Sequence, residues 1–92
     1  MNVKFHKTFL KELALIPIKS RIKIETFVFE EIQFLNALNE IPNIKKLKGF
    51  PDYYRLRFGN YRVGLRIEEE TIIFERVMHR KDIYRYYHNS AI

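Results

Sequence analysis

The first half of the chain has its apolar residues at helical spacing. One stripe predicts a short amphipathic helix over residues 6–16, and a second predicts a long helix over residues 19–38. Pro17 separates them, because a proline in the interior of a helix breaks it. Pro42 and Asn43 end the second helix. The two helices are expected to pack together as a hairpin. The two stripes consist of Phe9, Leu10, Leu13 and Ile16, then Ile24, Val28, Ile32 and Leu35.

Alternating apolar and polar residues, the spacing of a strand, occur before the first helix and again in the second half of the chain. Gly59 and Asn60 are a two-residue turn signal, which predicts a tight hairpin between two of these strands. The stretch over residues 71–78 has three consecutive apolar residues, which suits a central strand covered on both faces. A short helix is expected over residues 80–88. The predicted strands are residues 2–5, 53–58, 61–68 and 71–78.

The predicted order is β-α-α-β-β-β-α in a single domain of 92 residues, an α+β fold. The sheet is expected to be mostly antiparallel, with the helical hairpin packed on one face. Within residues 53–58, Arg55 and Arg57 alternate with apolar residues and therefore point away from the helices. Arg62, on the next strand, is their cross-strand neighbour. The sequence thus predicts a layer of arginines on the open face of the sheet.

Positive charge is concentrated around that layer. Residues 45–66 contain seven basic residues and one acidic residue, a net charge of +6, which equals the net charge of the whole chain. Cations placed so close together repel each other, so a phosphate-binding face is favoured over a merely solvated one. Further contacts to phosphate or RNA are expected from Lys46, Lys48, Arg66, Lys81 and Tyr87.

A histidine, an arginine and a tyrosine follow the last strand. His79 and Arg80 fall at its end, and Tyr84 comes one helical turn after Arg80. Cleavage of RNA by its own 2′-hydroxyl needs a group that accepts the 2′ proton, cations that stabilise the phosphorane and a group that protonates the leaving 5′ oxygen. These three residues and the arginine layer suit that chemistry without a metal. Taken singly, a surface histidine and a packing tyrosine are the more ordinary interpretations.

Several other classes of protein lack support. The chain has no cysteine, which excludes disulfides and thiolate metal sites. It has no HExxH motif, no carboxylate pair on a basic face and no glycine-rich phosphate loop. No cofactor or metal is therefore expected. No segment approaches the roughly 20 apolar residues that span a bilayer, and the N-terminal residues do not look like a signal peptide. A cytoplasmic protein without a membrane partner is the expectation.

Three segments, taken in order, resemble the RelE/ParE superfamily of toxins from type II toxin–antitoxin systems. They are NVKFHKTFLKELALIP at residues 2–17, KLKGFPDYYRLRFGNYRV at residues 46–63 and VMHRKDIY at residues 77–84. The resemblance spans essentially the whole chain, and the ordered set is specific.

The resemblance implies a small curved antiparallel sheet with an N-terminal helical hairpin. For the RelE branch it implies cleavage of mRNA in the ribosomal A site by 2′-hydroxyl attack, without metal. The family's catalytic cations then fall on Arg55, Arg57, Arg62 and Arg80, and its catalytic tyrosine falls on Tyr84.

Two features of this chain differ from the best-known RelE-type toxins. Those often have lysines where this chain has Arg55 and Arg57, and an arginine stays protonated, so it is a poor general base. The base would then be Tyr84 or His79. The interval from Arg80 to the tyrosine is also shorter here, which makes Tyr87 a second candidate.

Two alternatives and a partner complete the expectations. A ParE-like toxin would poison DNA gyrase and would not be a nuclease, and a degenerate toxin would only bind RNA or antitoxin.

An acidic antitoxin is expected to wrap the toxin and to cover the basic face or exposed apolar positions such as Ile22 and Phe29. The antitoxin and the toxin are expected to repress their operon together. Packing within the helical hairpin is the alternative for those two residues. The sequence leaves open the codon preference, the dependence on the ribosome and the oligomeric state.

Overall fold

A five-stranded sheet carries the N-terminal helices on one face. The computed structural model describes residues 2–83 and Arg85. The strands lie in the order β1-β5-β4-β3-β2; β1 is parallel to β5, and the other neighbours are antiparallel. The α+β class is confirmed. The elements are β1 (Asn2–Phe5), α1 (Lys7–Ala14), α2 (Ile18–Glu25), β2 (Ile44–Lys46), β3 (Tyr53–Phe58), β4 (Tyr61–Glu68), β5 (Thr71–His79) and α3 (Arg80–Ile83).

The main core lies between the helices and the sheet. Three phenylalanines form its centre, one each from β1, α1 and β5. The ring centroids of Phe5 and Phe74 are 5.5 Å apart, and those of Phe9 and Phe74 are 5.4 Å apart. Phe9 and Phe74 are fully buried, and each such burial stabilises the fold by about 1.5–3 kcal/mol. Within the described residues, no helix combines the length and the apolar character needed to cross a bilayer.

A β-bulge interrupts the alternation of β5 just after its three consecutive apolar residues. Gly64 lies opposite Arg76, but the next residue of β4 lies opposite Phe74, so Glu75 is an extra residue on β5. An extra residue shifts the alternation of a strand by one position. As a result Phe74 and Val77 both enter the main core although they are three residues apart.

The prediction of one long second helix is wrong in its second half. The α-helix ends at Glu25 and is followed by a π-helical turn, Thr26–Glu30, and a 3₁₀ turn, Glu31–Phe34. The wide π turn lets two consecutive residues, Phe27 and Val28, both enter the core.

Backbone hydrogen bonds explain why the helix does not reach Leu38. The Glu40 carboxylate accepts hydrogen bonds from the backbone N–H groups of Asn36 and Ala37, at 3.1 and 2.9 Å. These amides are therefore satisfied outside a helix. Leu35 is already extended, with ψ of 137°, and a further 3₁₀ turn covers Leu38–Glu40.

One strand was not predicted from the sequence. Residues Ile44–Lys46 form β2, which pairs with β3 at the edge of the sheet, so the order is β-α-α-β-β-β-β-α. Three residues, two of them lysines, are too few to show an alternation. Lysines are nevertheless common on edge strands, because they discourage pairing with other chains.

A second, smaller cluster covers part of the opposite face. Leu47, Met78 and Ile83 are buried together, with Phe50 and Tyr53 packed against them. The loop between β2 and β3 and the first turn of α3 therefore lie over one end of the face that the sequence predicted to be open. The arginine layer is exposed only in part.

Glu12 of α1 connects the helical layer to the outer edge of β5. Its carboxylate accepts hydrogen bonds from Nε and Nη2 of Arg76, at 2.9 and 2.6 Å, and from the backbone N–H of Val77, at 3.0 Å. Strand β1 pairs with β5 only as far as Phe74. Glu12 thus bonds β5 where β1 has ended.

We expect Glu12→Ala to lower the free energy of unfolding by about 1.5–3 kcal/mol, because it removes charge-assisted hydrogen bonds from partly buried groups. The control is Glu25→Ala, which breaks a more exposed ion pair with Arg21 at 3.8 Å and should cost less than about 0.5 kcal/mol. Urea denaturation of both purified variants measures the difference. Equal losses would contradict the structural role assigned to Glu12.

Candidate nucleic-acid interface

The pairing of β3 with β4 brings the predicted arginines onto one face. Arg57 lies directly opposite Arg62, and Arg55 lies opposite Gly64. Side chains at directly opposed positions have Cβ atoms about 5 Å apart. We call the face formed by Arg55, Arg57 and Arg62 the arginine face. On its outer side Lys45 lies opposite Arg55, a neighbour that the sequence did not indicate because β2 was not predicted.

The three arginines differ in exposure. Arg57 is exposed, Arg55 is half-buried, and Arg62 is only 5% exposed. The prediction that Arg62 lies on an open face is therefore wrong. The reason is its neighbour in β5, Met78, which lies directly opposite Arg62 and belongs to the second cluster.

Hydrogen bonds fix the Arg62 guanidinium. Its Nη1 donates to the backbone carbonyls of Gly59 and Tyr61, at 2.8 and 3.1 Å. Both acceptors lie at or next to the tight turn between β3 and β4. A buried arginine held in this way has lost its rotamer freedom during folding, so its guanidinium needs no further ordering.

The same turn holds the start of α3. The backbone N–H of Arg80 donates to the carbonyl of Asn60 at 2.7 Å. The side chains of Arg80 and Lys81 are exposed. The turn thus places Arg80, on α3, close in space to the hairpin that carries Arg57 and Arg62.

His79 lies at the junction of β5 and α3. Its ring is half-buried and meets the ring of Tyr61 edge-on, with centroids 5.6 Å apart and an interplanar angle of 77°. Its Nδ1 accepts a hydrogen bond from the backbone N–H of Lys81 at 3.2 Å.

Arg66 is already paired with carboxylates. Its Nε donates to Glu75 at 2.8 Å, and it also forms an ion pair with Glu68. The pKa of Arg66 is raised above its usual value, chiefly by the hydrogen bond to Glu75. These pairs disfavour the predicted phosphate-binding role of Arg66. Glu75 is the bulge residue on the neighbouring strand, so it reaches Arg66 across the sheet rather than along the sequence.

Lys46 and Lys48 border a cleft of about 400 Å³ at the loop between β2 and β3. Leu47, Phe50 and Pro51 supply apolar lining. Both lysines are exposed, which is compatible with their predicted role in binding RNA. Tyr84 and Tyr87 lie outside the described residues. Over residues 2–83 and Arg85, no group of three or more histidine or carboxylate side chains is arranged to hold a metal ion.

Comparison with known proteins agrees with this architecture. Residues 3–84 match the family described as ParE toxin of the type II toxin–antitoxin system parDE. The chain is 50% identical over 90 residues to Toxin RelE3 of Methanocaldococcus jannaschii, which covers 95% of this chain and 99% of the relative.

Solved structures show the same relationship. The RelB–RelE antitoxin–toxin complex from Methanococcus jannaschii superposes with a TM-score of 0.79 at 48% identity, over 91% of this chain and 98% of that one. The archaeal RelE–RelB complex from Pyrococcus horikoshii superposes with a TM-score of 0.68 at 26% identity, over 88% and 96%. From sequence and fold together, this chain belongs to the RelE/ParE family of toxins of type II toxin–antitoxin systems.

Proposed function

We propose that this toxin is a metal-independent endoribonuclease that acts in the cytoplasm and cuts translated mRNA in the ribosomal A site. The observation that carries the proposal is the direct pairing of Arg57 with Arg62 across β3 and β4. Among the described residues, Arg57 forms no ion pair with a carboxylate. Two adjacent guanidinium groups, one exposed and one fixed, form an arrangement suited to a phosphate group.

The bond changes follow from 2′-hydroxyl attack. The 2′ oxygen forms a bond to phosphorus, the bond to the 5′ oxygen breaks, and the products are a 2′,3′-cyclic phosphate and a 5′-hydroxyl. One proton leaves the 2′ oxygen, and one is delivered to the 5′ oxygen. Negative charge accumulates on the phosphorane between these steps, and fixed cations lower the barrier by stabilising it.

The arginines take different parts in this scheme. Arg62 is preorganised by its bonds to Gly59 and Tyr61, so it stabilises the phosphorane without reorganising. Arg57 is exposed, so it captures the phosphate and then donates to the phosphorane beside Arg62. Arg55 and Arg80 flank the site.

The proton acceptor is a different kind of residue, because arginine stays protonated. The candidates are His79 and Tyr84, with Tyr87 as the second tyrosine. We assign the exposed Lys46, Lys48 and Lys81 to the RNA backbone.

We also propose an acidic antitoxin that docks on the helical layer and covers the basic face, with both proteins repressing their operon. Both solved relatives named above are antitoxin–toxin complexes. Ile22 is 51% exposed and offers apolar surface next to Lys19 and Lys23, which favour an acidic partner. Phe29 is 42% exposed but contacts Phe5, with ring centroids 5.0 Å apart, so packing within the fold uses part of its surface. Other exposed apolar side chains on this layer are Leu10, Leu15, Ile18 and Phe34.

The second candidate function is poisoning of DNA gyrase. It is favoured by the match of residues 3–84 to a family described as ParE toxins. In that case the arginine face would be a binding surface only, as it would be in a degenerate toxin.

Brief expression in cells should produce new mRNA 5′ ends within translated frames, and Arg57→Ala should reduce them about a hundredfold, the usual effect of removing one transition-state donor. The control is Lys23→Ala, which removes an exposed cation from α2 and should leave cleavage unchanged. Primer extension maps the ends, and a supercoiling and DNA-break assay runs in parallel. If DNA breaks appeared while mRNA stayed intact, the ribonuclease proposal would fail and the gyrase-poison proposal would be supported.

Arg62→Ala should lose both cleavage and stability, because the side chain is buried and bonds two backbone carbonyls. We expect the free energy of unfolding to fall by about 1–3 kcal/mol. Arg57→Ala should change it by less than about 0.5 kcal/mol. Urea denaturation of the purified proteins tests this, and an Arg62→Ala protein as stable as the Arg57→Ala protein would contradict the structural role of Arg62.

Binding of the isolated toxin to ribosomes should weaken steeply with salt, because each phosphate contact releases counterions. Three to five contacts predict that affinity falls by roughly 10²-fold or more between 50 and 300 mM salt. Sedimentation of toxin with ribosomes at several salt concentrations measures the slope. A flat dependence would rule out the basic surface as the main contact.

A further inference from the structure

We infer that His79 is a positioning residue for α3 and its Arg80 and is not the general base. The inference rests on the proposed ribonuclease function. It narrows the choice of proton acceptor that the sequence left open. Its basis is the hydrogen bond from the Lys81 backbone N–H to Nδ1 of His79, at 3.2 Å.

The hydrogen bond determines which ring nitrogen carries a proton. A nitrogen that accepts an N–H must keep its lone pair, so Nδ1 is unprotonated and the ring proton is on Nε2. A neutral imidazole has only one acceptor nitrogen. That nitrogen already serves Lys81, so His79 could take the 2′ proton only by releasing the start of α3.

The first two amides of α3 are both fixed from outside the helix. Arg80 N–H donates to Asn60 at 2.7 Å, and Lys81 N–H donates to His79. Such amides have no partner within a helix and need one. At the far end Ile83 is fully buried in the second cluster. His79 therefore sets the direction in which α3 leaves the sheet, and with it the placement of Arg80 beside the arginine face.

Contacts with β4 hold the ring itself in place. Tyr61 lies directly opposite His79 in the pairing of β4 with β5, and the two rings meet edge-on. A ring held by a cross-strand neighbour and by a backbone amide has little freedom to turn toward a substrate. His79 borders a cleft, and besides Tyr61 the titratable groups that line this cleft are Glu12 and Asp82.

The same device occurs at the other end of the chain. His6 precedes α1, and its Nδ1 accepts a hydrogen bond from the Thr8 backbone N–H at 3.1 Å. In both places a histidine just before a helix caps the amide two residues later. Helix α1 lies on the opposite side of the sheet from the arginine face, so this use of histidine does not depend on catalysis.

Two substitutions separate positioning from proton transfer. Asparagine places its side-chain oxygen close to the position of Nδ1 and is a good helix cap, so His79→Asn should keep the cleavage rate within about threefold of the unmodified toxin. Glutamine is one bond longer, so the capping oxygen is displaced. His79→Gln should therefore lower kcat about tenfold or more. The matched control, His6→Gln, should leave cleavage unchanged.

If His79 were the base, asparagine and glutamine would fail alike, by about 10²–10⁴-fold. Equal failure of His79→Asn and His79→Gln, with normal cleavage by His6→Gln, would overturn the inference while leaving the ribonuclease proposal in place. Cleavage by His79→Asn but not by His79→Gln supports it.

A second measurement does not depend on activity. In the whole toxin labelled with ¹⁵N-histidine, the ring shifts of His79 at neutral pH should show an unprotonated Nδ1 and a protonated Nε2, with the signal assigned by its loss in His79→Asn. A protonated Nδ1 would overturn the inference whether or not the toxin cuts RNA. If the toxin cuts no mRNA but the tautomer is as expected, the ribonuclease proposal fails and the capping role of His79 stands.

Discussion

The arrangement of the site depends on the two-residue turn between β3 and β4. Gly59 adopts a φ of +57°, a conformation that costs glycine little and most other residues more. The turn's two carbonyls then face different partners. The carbonyl of Gly59 accepts a hydrogen bond from the Arg62 guanidinium. The carbonyl of Asn60 accepts one from the first backbone N–H of α3. One turn thus fixes both the Arg62 guanidinium and the start of α3, so its geometry and that of the arginine face are inseparable.

The main core and the second cluster lie on opposite faces of the sheet and contribute differently to the structure. The main core is large and aromatic, and it holds the sheet to the helical layer. The second cluster is small, and its cover consists of a loop and a single helical turn. It shields Arg62 from water, and charged groups interact more strongly where water is excluded. Arg55 is half-buried, and Arg57, directly opposite Arg62, is exposed.

Local pattern was enough to predict α1, β3, β4 and their turn, because each is specified by residues close together in sequence. Three features were not accessible in this way, and each depends on contacts across the sheet. The burial of Arg62 depends on Met78, the pairing of Arg66 depends on a bulge at Glu75, and β2 exists because β3 pairs with it. The placement of the arginines on one face was predictable, whereas their different exposures were not.

The Glu12 contact also changes the character of the free edge of β5. Strand β5 continues beyond the end of β1, so its outer backbone groups would otherwise form an open sheet edge. Such edges invite pairing with strands of other molecules. Glu12 occupies the Val77 N–H and holds the charged Arg76 side chain beside it. The opposite edge is β2, which is short and rich in lysine, so both edges carry features that discourage strand pairing.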